Sequence, residues 1–347
     1  MKIKKLFAAV LAVVMVMACG ILGGCASEDS SGAVNAGESE EPVTIRVGAM
    51  AGPTAMGMVK LMNDSDAGLT ANSYSFADLT NDASSLVAPI AKGELDIAAI
   101  PSNLASNIYN NNDGSIEVLA INVLGVLNLV ERGDSIASIS DLKGKSVYAT
   151  GQGAVPEYII RYILQGNGLN PDTDVNIIWC SDTTEALAYV TEVRDSIAIL
   201  PQPFVSAAAA KVESIKANDE PSLRVVADLN DEWDALNPGC SIVTGVLVVR
   251  REFAEKYPKQ VATFLDEYAA SAQYTYDDID GAAALTVQYG IVAAEGVAKM
   301  AIPNCHIVCI TGEEMKTSVE GFLQILYDLE PKAVGGTMPG DDFYYVQ

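Results

Sequence analysis

Basic residues and histidine are scarce in this chain of 347 residues. It has 21 Lys and Arg against 45 Asp and Glu, one histidine, and a formal net charge of −24 at pH 7. Nucleic acid and anionic membrane surfaces would repel so negative a chain, and we exclude them as partners. The only histidine is His306, and the sequence has no HExxH motif, CxxC pair or carboxylate cluster. Metal catalysis and histidine-dependent nucleophilic catalysis are therefore disfavoured, and we expect no metal and no cofactor.

Cysteine is also sparse, with six residues scattered over the chain. So few cysteines in so long a chain do not indicate a disulfide scaffold. Cys305 and Cys309 flank His306 and could suggest a metal site. The segment alternates like a strand, however, and positions four apart on a strand lie about 13 Å from each other. We therefore interpret these cysteines as buried structural thiols. Whether they, Cys180 and Cys240 are free stays open at this point.

The N-terminus has the pattern of a lipoprotein leader. Three lysines within the first five residues precede an apolar run over residues 6–17, and the sequence LGGC follows at residues 22–25. The run is too short and too interrupted by glycine to span a membrane. We predict a signal peptide over residues 1–24 and a diacylglycerol on Cys25, because two acyl chains anchor a protein stably where one does not. The alternative is cleavage elsewhere, with Cys25 an ordinary thiol.

Residues 25–42 are predicted to be the lipidated cysteine and a disordered tether. The segment combines Ser, Gly, Ala and acidic residues with almost no large apolar side chain, so it cannot bury enough surface to order itself. Its acids would also hold the folded part away from an anionic surface. We expect an extracytoplasmic protein that is anchored to the membrane by lipid and does not cross it.

From residue 43 onward, short apolar runs alternate with amphipathic stretches of helical length. This alternation is typical of a parallel α/β sheet. A second set of such units opens near residue 139, and residues 251–329 are mainly helical except for a strand at 305–310. In residues 182–185, Asp182 precedes Glu185 by three positions, which predicts a capped helix start.

Two successive α/β sets with a helical C-terminal return indicate two lobes, the second inserted into the first. The remaining chain is long enough for this, because single cores stop growing at roughly 250–300 residues. We predict lobe I over residues 43–126 and 241–347 and lobe II over residues 127–240. Hinge strands are expected near residues 124–131 and 238–244, and a ligand would bind in the cleft between the lobes.

Three turns share one design, in which an apolar strand ends, a short segment of Gly, Pro, Ser or Asn follows, and a helix begins. Ligands of parallel sheets bind beyond the carboxyl ends of the strands, where helix N-termini present unpaired N–H groups. Any such turn needs small residues and caps, so one turn alone has little meaning. Three turns on different strand ends indicate a binding cleft. They are Gly52-Pro53-Thr54, Pro101-Ser102-Asn103 and Gly151-Gln152-Gly153.

Five segments, in a fixed order, match the pattern of a known family. They are VGAMAGPT at 47–54, GELDIAAIP at 93–101, DLKGK at 141–145, GQGAVPEY at 151–158 and LPQPF at 200–204. Over nearly all of residues 43–347 the chain resembles the substrate-binding lipoproteins of ABC transporters. Within these it is similar to the nitrate, sulfonate and taurine family with its pyrimidine-precursor-binding relatives.

The resemblance implies an α/β, bilobed type II periplasmic-binding fold that closes over one small solute and delivers it to an ABC permease. It also implies that the first-lobe turns and the turn at 151–154 face the ligand, with Gln202 and Phe204 near the mouth. We expect the protein to be a monomer. The expected ligand-binding residues are Gly52, Pro53, Thr54, Pro101, Ser102, Asn103, Gln152, Gly153, Ala154, Tyr158, Gln202 and Phe204.

The class of solute is suggested by a missing charge, because none of the three turns contains Arg or Lys. The nearest basic residues, Lys60 and Arg161, are expected on solvated helix faces. We therefore predict a neutral or cationic solute, with an aromatic or heterocyclic ring among the options. Four aromatic residues could stack on such a ring or belong to the core. They are Tyr158, Trp179, Phe204 and Trp233.

We predict a binding protein without catalytic activity, in which the ligand stabilises the closed arrangement of the lobes. One alternative is an enzyme of the related pyrimidine-precursor synthase type, which uses a histidine of its own chain. The other is a ligand-sensing surface lipoprotein that works without a transporter.

Overall fold

Eleven strands form two sheets in the computed structural model, which describes residues 43–345. The predicted signal peptide, the lipidated Cys25 and the tether fall in residues 1–42, outside the described residues. Among residues 43–345, no helix has the length and apolar character needed to cross a membrane. The strands are β1 (Thr44–Ala49), β2 (Ser73–Phe76), β3 (Ile97–Pro101), β4 (Ile116–Val123), β5 (Leu127–Glu131), β6 (Ser146–Ala149), β7 (Asn176–Trp179), β8 (Ile197–Pro201), β9 (Arg224–Asp228), β10 (Gly245–Arg250) and β11 (Ile307–Ile310).

Thirteen α-helices of the described chain pack against these sheets. They are α1 (Pro53–Met56), α2 (Val59–Asp66), α3 (Val87–Ala91), α4 (Ser102–Asn111), α5 (Val155–Gly166), α6 (Thr183–Glu192), α7 (Phe204–Ile215), α8 (Leu229–Leu236), α9 (Arg251–Lys256), α10 (Pro258–Asp277), α11 (Ile279–Gln288), α12 (Glu295–Ala301) and α13 (Gly312–Leu329). Short 3₁₀ turns lie at Ala83–Leu86, Ile139–Leu142, Ile302–Asn304, Pro331–Val334 and Asp341–Phe343.

The first sheet has the strand order β11-β4-β10-β3-β1-β2, and the second has the order β7-β6-β8-β5-β9. We call the parts of the chain built on them the first and the second lobe. The strands of the second sheet all lie within residues 127–240, and those of the first lie before and after that range. The predicted lobe boundaries match this division of strands but stay a prediction.

The sheets are mixed, whereas the sequence pattern predicted parallel pairing. β1 runs parallel to β2 and β3, and β6 runs parallel to β7 and β8. β10 is antiparallel to β3 and β4, and β5 is antiparallel to β8 and β9. β11 is also antiparallel to β4. The chain enters each sheet from the other lobe through β5 and β10.

Several element boundaries differ from those predicted. The helix that begins at the first turn is not continuous, because it is interrupted after Met56 and resumes at Val59. Residues 240–244 were predicted as strand, but β10 begins at Gly245. The residues before it make isolated hydrogen bonds, such as those of Thr244 to Val123 and Ser102, and not the repeated pairing of a sheet. The predicted cap is confirmed, since the Glu185 N–H donates to Asp182 Oδ1 over 2.9 Å.

Trp233 on α8 joins the two lobes through the hydrophobic core. Its ring lies 4.7 Å from that of Tyr162 on α5 and 5.6 Å from that of Phe322 on α13. It is fully buried, and its Nε1–H donates to the Cys240 carbonyl over 2.7 Å. Trp233 is therefore a core residue, and of its two predicted roles the structure selects packing over ligand stacking.

The four cysteines of the described chain are free thiols at Cys180, Cys240, Cys305 and Cys309. Cys305 is fully buried and its Sγ lies 3.7 Å from the sulfur of Met56. Burial raises the pKa of the Cys309 thiol to about 11 and raises that of Cys305 further. Within residues 43–345, no group of three or more His, Cys, Asp or Glu side chains is placed to hold a metal.

Candidate functional site

Two turns are attached to the segments that connect the lobes, namely the predicted turn at Pro101-Ser102-Asn103 and the turn after β8 that contains Gln202, a predicted ligand-binding residue outside the three turns. Segments 124–126 and 237–244 connect the lobes, and the second is held to the end of β4, where the Thr244 N–H donates to the Val123 carbonyl over 3.0 Å. Ser102 donates its N–H to the Thr244 carbonyl and its hydroxyl to the Val243 carbonyl over 2.5 Å. The Gln202 N–H donates to the Val126 carbonyl over 2.9 Å. One turn from each lobe therefore meets the hinge.

Gly125 is tied to both lobes. Its N–H donates to Asn230 Oδ1 of the second lobe over 3.0 Å, and its carbonyl lies 2.5 Å from Nδ1 of His306 in the first. A Cβ at this position would lie 2.7 Å from Asn230 Oδ1, so only glycine permits the approach. Backbone strain marks the same place, because His306 has a φ of 45°.

Asp228 lies beside His306 at this hinge. One of its carboxylate oxygens caps α8 by accepting the Asn230 N–H, and the other lies 3.6 Å from Nε2 of His306. Burial raises the pKa of the Asp228 carboxyl, and the Asn230 N–H and the nearby imidazole counteract this only in part. The pair lies where a change in the angle between the lobes would alter its separation.

The first turn presents little free hydrogen-bonding capacity. Gly52 has a φ of 96°, and Pro53 opens α1 without an N–H. Thr54 is buried, with its hydroxyl donating to the Met50 carbonyl over 2.7 Å. The Thr54 carbonyl accepts Nδ2–H of Asn122. The turn is therefore hydrogen-bonded to β4 through Asn122, and the Thr54 hydroxyl is used by a main-chain carbonyl of the protein itself.

The second turn begins α4. Pro101 ends β3 and is half-buried, and Ser102 is buried with its hydroxyl on the hinge. Asn103 is half-buried, and its Nδ2 lies 3.4 Å from the Ala333 carbonyl. Of the three residues, Asn103 therefore offers the most polar surface to a ligand.

The third turn, in the second lobe, exposes Gln152, Gly153 and Ala154. Gly153 has a φ of 73°, and its N–H donates to Oε2 of Glu157 over 2.7 Å. Tyr158 is half-buried, with its hydroxyl 3.4 Å from the Gly153 carbonyl. Burial raises the pKa of the Tyr158 hydroxyl, and the charges of Glu330 and Glu157 raise it further. Because Glu330 follows α13, the turn approaches the first lobe.

Gln202 and Phe204 differ in what they offer. Gln202 is buried, and its Oε1 accepts the Ser206 hydroxyl over 2.9 Å. Phe204 opens α7 and, with Pro203, faces residues 291–297 of the first lobe across an apolar cavity of about 220 Å³. Phe204 is thus a second-lobe aromatic side chain that faces the first lobe.

The structure brings Ser102 and Gln202 to the hinge, and it brings Tyr158 and Phe204 toward the first lobe. Whether the twelve residues contact a ligand stays a prediction. Sequence reasoning missed Glu157 as the partner of Gly153, although the spacing of four residues into a helix start is a readable signal. It also missed Asp228 beside His306, for which the sequence holds no signal, because their contact depends on how the lobes are arranged.

Solved structures with similar folds span most of the chain. An ABC transporter structure from Parabacteroides distasonis is 25% identical, with a TM-score of 0.72 over 87% of this chain and 98% of that one. The periplasmic aliphatic sulphonate binding protein of Escherichia coli is 16% identical, with a TM-score of 0.64 over 84% of this chain and 90% of that one. A Candida albicans protein described by the generic periplasmic binding protein fold is 13% identical, with a TM-score of 0.51 over 86% of this chain and 99% of that one.

The chain has the periplasmic-binding-protein fold. The resemblance to ABC transporter binding proteins and the bilobed α/β architecture predicted from sequence are confirmed by these neighbours. No curated protein sequence matches the chain. A family model described as menaquinone biosynthesis matches residues 213–327, which is less than half of the chain. Among solved structures, the periplasmic-binding-protein neighbours are mostly binding components of transport systems.

Proposed function

We propose that this protein is an extracytoplasmic solute-binding lipoprotein that captures a small molecule between its lobes and delivers it to an ABC permease. The observation that supports this most directly is that the Ser102 and Gln202 turns, one from each lobe, bond to the connecting segments. A solute that contacts both turns would favour one angle between the lobes over others. That is how a ligand stabilises a closed state.

The solute is proposed to be neutral or cationic, with an aromatic or heterocyclic ring among the options. The two basic residues nearest to the turns are engaged in ion pairs. Lys60 pairs with Asp64, and Arg161 pairs with Asp172 over 2.6 Å. Tyr158 and Phe204 are the two aromatic residues among the predicted ligand-binding residues, and they would supply aromatic surface for a planar solute.

The lipid anchor at Cys25, the tether, the two lobes at their predicted boundaries and a monomeric state complete the proposal. Anchoring is tested by Cys25→Ser expressed with its own leader. We expect the variant to leave the membrane fraction, while the wild type stays there after a high-salt wash. Retention of the variant on membranes would contradict the lipid anchor.

Solute capture is tested by mass spectrometry of molecules that remain bound through purification, followed by titration of the ligand-free protein. We expect the bound solute to raise the melting temperature by mass action. Phe204→Ala should weaken binding about tenfold, through loss of contact area on one face of the solute. The control is Leu69→Ala, because Leu69 is 74% exposed and does not line the cavity at Phe204. Failure of every solute in a broad library to change the melting temperature would contradict capture.

An enzyme is the second candidate, and the family model for menaquinone biosynthesis over residues 213–327 favours it. The match includes Asp228, whose carboxylate lies beside His306, the residue that a histidine-dependent reaction in this chain would require. The test is incubation of the protein with its bound solute and analysis for a product. A product formed by the wild type and not by His306→Ala would establish the enzyme and displace the binding protein.

A further inference from the structure

The main-chain N–H groups at the start of α5 are largely occupied by the protein itself. The Gly153 N–H donates to Oε2 of Glu157 over 2.7 Å, and the Ala154 N–H donates to the Gly151 carbonyl over 3.0 Å. Pro156 has no N–H, and the N–H of Glu157 donates to the Ala154 carbonyl. A helix start binds an anion through such groups when they are unpaired. In this turn, the N–H groups of Gly153, Ala154 and Glu157 already donate to acceptors of the protein itself.

The group that fills the Gly153 donor is itself an anion. The Glu157 side chain is only 17% exposed, so water screens its charge weakly. Its ion-pair partner Arg161 is 3.7 Å away and makes a shorter contact of 2.6 Å with Asp172. The carboxylates of Glu157 and Glu330 both act on the Tyr158 hydroxyl, whose pKa they raise in addition to the effect of burial. This edge of the second lobe therefore has negative potential.

We propose that Glu157 is a specificity-determining residue that excludes anionic solutes from the interlobe cleft. The inference rests on the proposed function, because it requires the turn at 151–158 to face the solute. Glu157 acts in two ways, by occupying the Gly153 N–H and by repelling a second negative charge. The solute class then differs from that of the Escherichia coli neighbour, which binds aliphatic sulphonates.

Two variants separate the two effects. Glu157→Gln removes the charge and keeps an oxygen that can accept the Gly153 N–H, whereas Glu157→Ala removes both. The matched control is Glu185, whose Oε2 accepts the N–H and the hydroxyl of Ser181, each over 2.7 Å, at the start of α6. The spacing of four residues is the same, and α6 is not part of the proposed site. Glu185→Gln and Glu185→Ala therefore control for losing such a contact.

The measurement is isothermal titration of ligand-free protein with ethanesulfonate and, in parallel, with the neutral or cationic solute recovered from the purified protein. Ethanesulfonate should not bind the wild type or the Glu185 variants detectably. It should bind Glu157→Gln measurably. It should bind Glu157→Ala most tightly, with a dissociation constant at least about tenfold below the weakest that the titration can detect, because both the charge and its hydrogen bond to Gly153 are gone. Thermal melting of each variant verifies that it is folded.

The outcomes distinguish failure of the exclusion role from failure of solute capture. The expected order of ethanesulfonate affinity, alanine above glutamine above wild type, supports the exclusion role. Tight binding of ethanesulfonate to the wild type overturns the exclusion role and leaves solute capture standing. The exclusion role is also overturned if no variant binds ethanesulfonate detectably while all of them still bind the recovered solute. If the wild type binds no solute of any charge, solute capture fails and the specificity role fails with it.

Discussion

His306 and Asp228 meet across the hinge, with Nε2 of the imidazole 3.6 Å from a carboxylate oxygen. The other ring nitrogen, Nδ1, faces the Gly125 carbonyl, which can only accept a hydrogen bond. In a neutral ring Nδ1 therefore carries the proton, and Nε2 presents a lone pair to the carboxylate. The Asp228 carboxyl, whose pKa burial raises, therefore lies at a contact between the two lobes.

Asp228→Asn should change how stability depends on pH. Burial raises the pKa of the Asp228 carboxyl in the folded state, so the folded protein binds this proton more tightly than the unfolded chain does. Stability from the protonated form is fully present below the unfolded pKa of about 4 and is lost as pH rises through the folded pKa. Asparagine retains an oxygen for the α8 cap and stays neutral at every pH. The stability of the variant should therefore increase relative to that of the wild type as pH rises.

The measurement for Asp228→Asn is the melting temperature from pH 3 to 8. Asp231→Asn is the control, because Asp231 is exposed on the same helix. A difference between Asp228→Asn and wild type that stays constant across this range would contradict the prediction.

Gly125→Ala should destabilise the protein by about 1–3 kcal/mol, because the new methyl group would lie 2.7 Å from Asn230 Oδ1. The control is Gly296→Ala on α12, where a Cβ meets no atom within 4 Å. That substitution should stabilise by up to about 1 kcal/mol through helix propensity. Urea denaturation of both variants measures the difference, and equal effects of the two would show that the hinge accommodates a side chain.

Asp96→Asn should cost about 1–3 kcal/mol, because Arg46 and Arg250 lose their shared buried partner but remain partly exposed to water. The Asp96 carboxylate is 2% exposed and pairs with Arg46 over 2.6 Å and Arg250 over 3.2 Å. Burial raises the pKa of Asp96, but the hydrogen bonds from Arg46 and Arg250 outweigh burial and lower it overall. Its stabilising effect is therefore present above the unfolded pKa of about 4 and is lost as pH falls through the folded value.

Urea denaturation at pH 7 and pH 3 tests the Asp96 prediction, with a smaller difference from wild type expected at pH 3. Glu252→Gln is the control, since Glu252 also pairs with Arg250 but is 86% exposed. Its effect should be within about 1 kcal/mol. An Asp96→Asn effect as small as that of the control would refute the role of the buried pair.

Trp233→Ala should destabilise the protein by about 3–5 kcal/mol, because it opens a cavity between α5, α8 and α13. Trp233→Phe keeps much of the volume but leaves the Cys240 carbonyl without its donor, so it should cost less. Trp179, the other tryptophan, is half-buried, and Trp179→Phe is the control. Denaturation followed by circular dichroism compares them, and a loss below about 1 kcal/mol for Trp233→Ala would argue against a shared core.

Local patterns in the sequence predicted much of the fold. The spacing of Asp182 and Glu185 predicted the cap of α6, and the alternation of apolar runs predicted the strands of both sheets. Helix α8 was not predicted, although Leu229 and Trp233 stand four apart on its buried face. Acidic residues between them obscured that spacing.

The hydrogen bonds of the candidate site could not be predicted in the same way. The Ser102 hydroxyl bonds to the carbonyl of Val243, which is 141 positions away in the sequence. Thr54 likewise satisfies a main-chain carbonyl, so a hydroxyl at a promising turn is not automatically available to a ligand. Such partners depend on tertiary packing, which periodicity and spacing do not encode.

The packing of α13 on the second lobe means that the two lobes cannot be separated into fragments. The helix belongs to the last part of the chain, yet its Phe322 covers Trp233 from the middle of the sequence. A second lobe excised as residues 127–240 would expose that tryptophan to water, and a chain shortened before residue 312 would expose it in the same way. The molecule should therefore unfold in a single cooperative transition, with both lobes melting together.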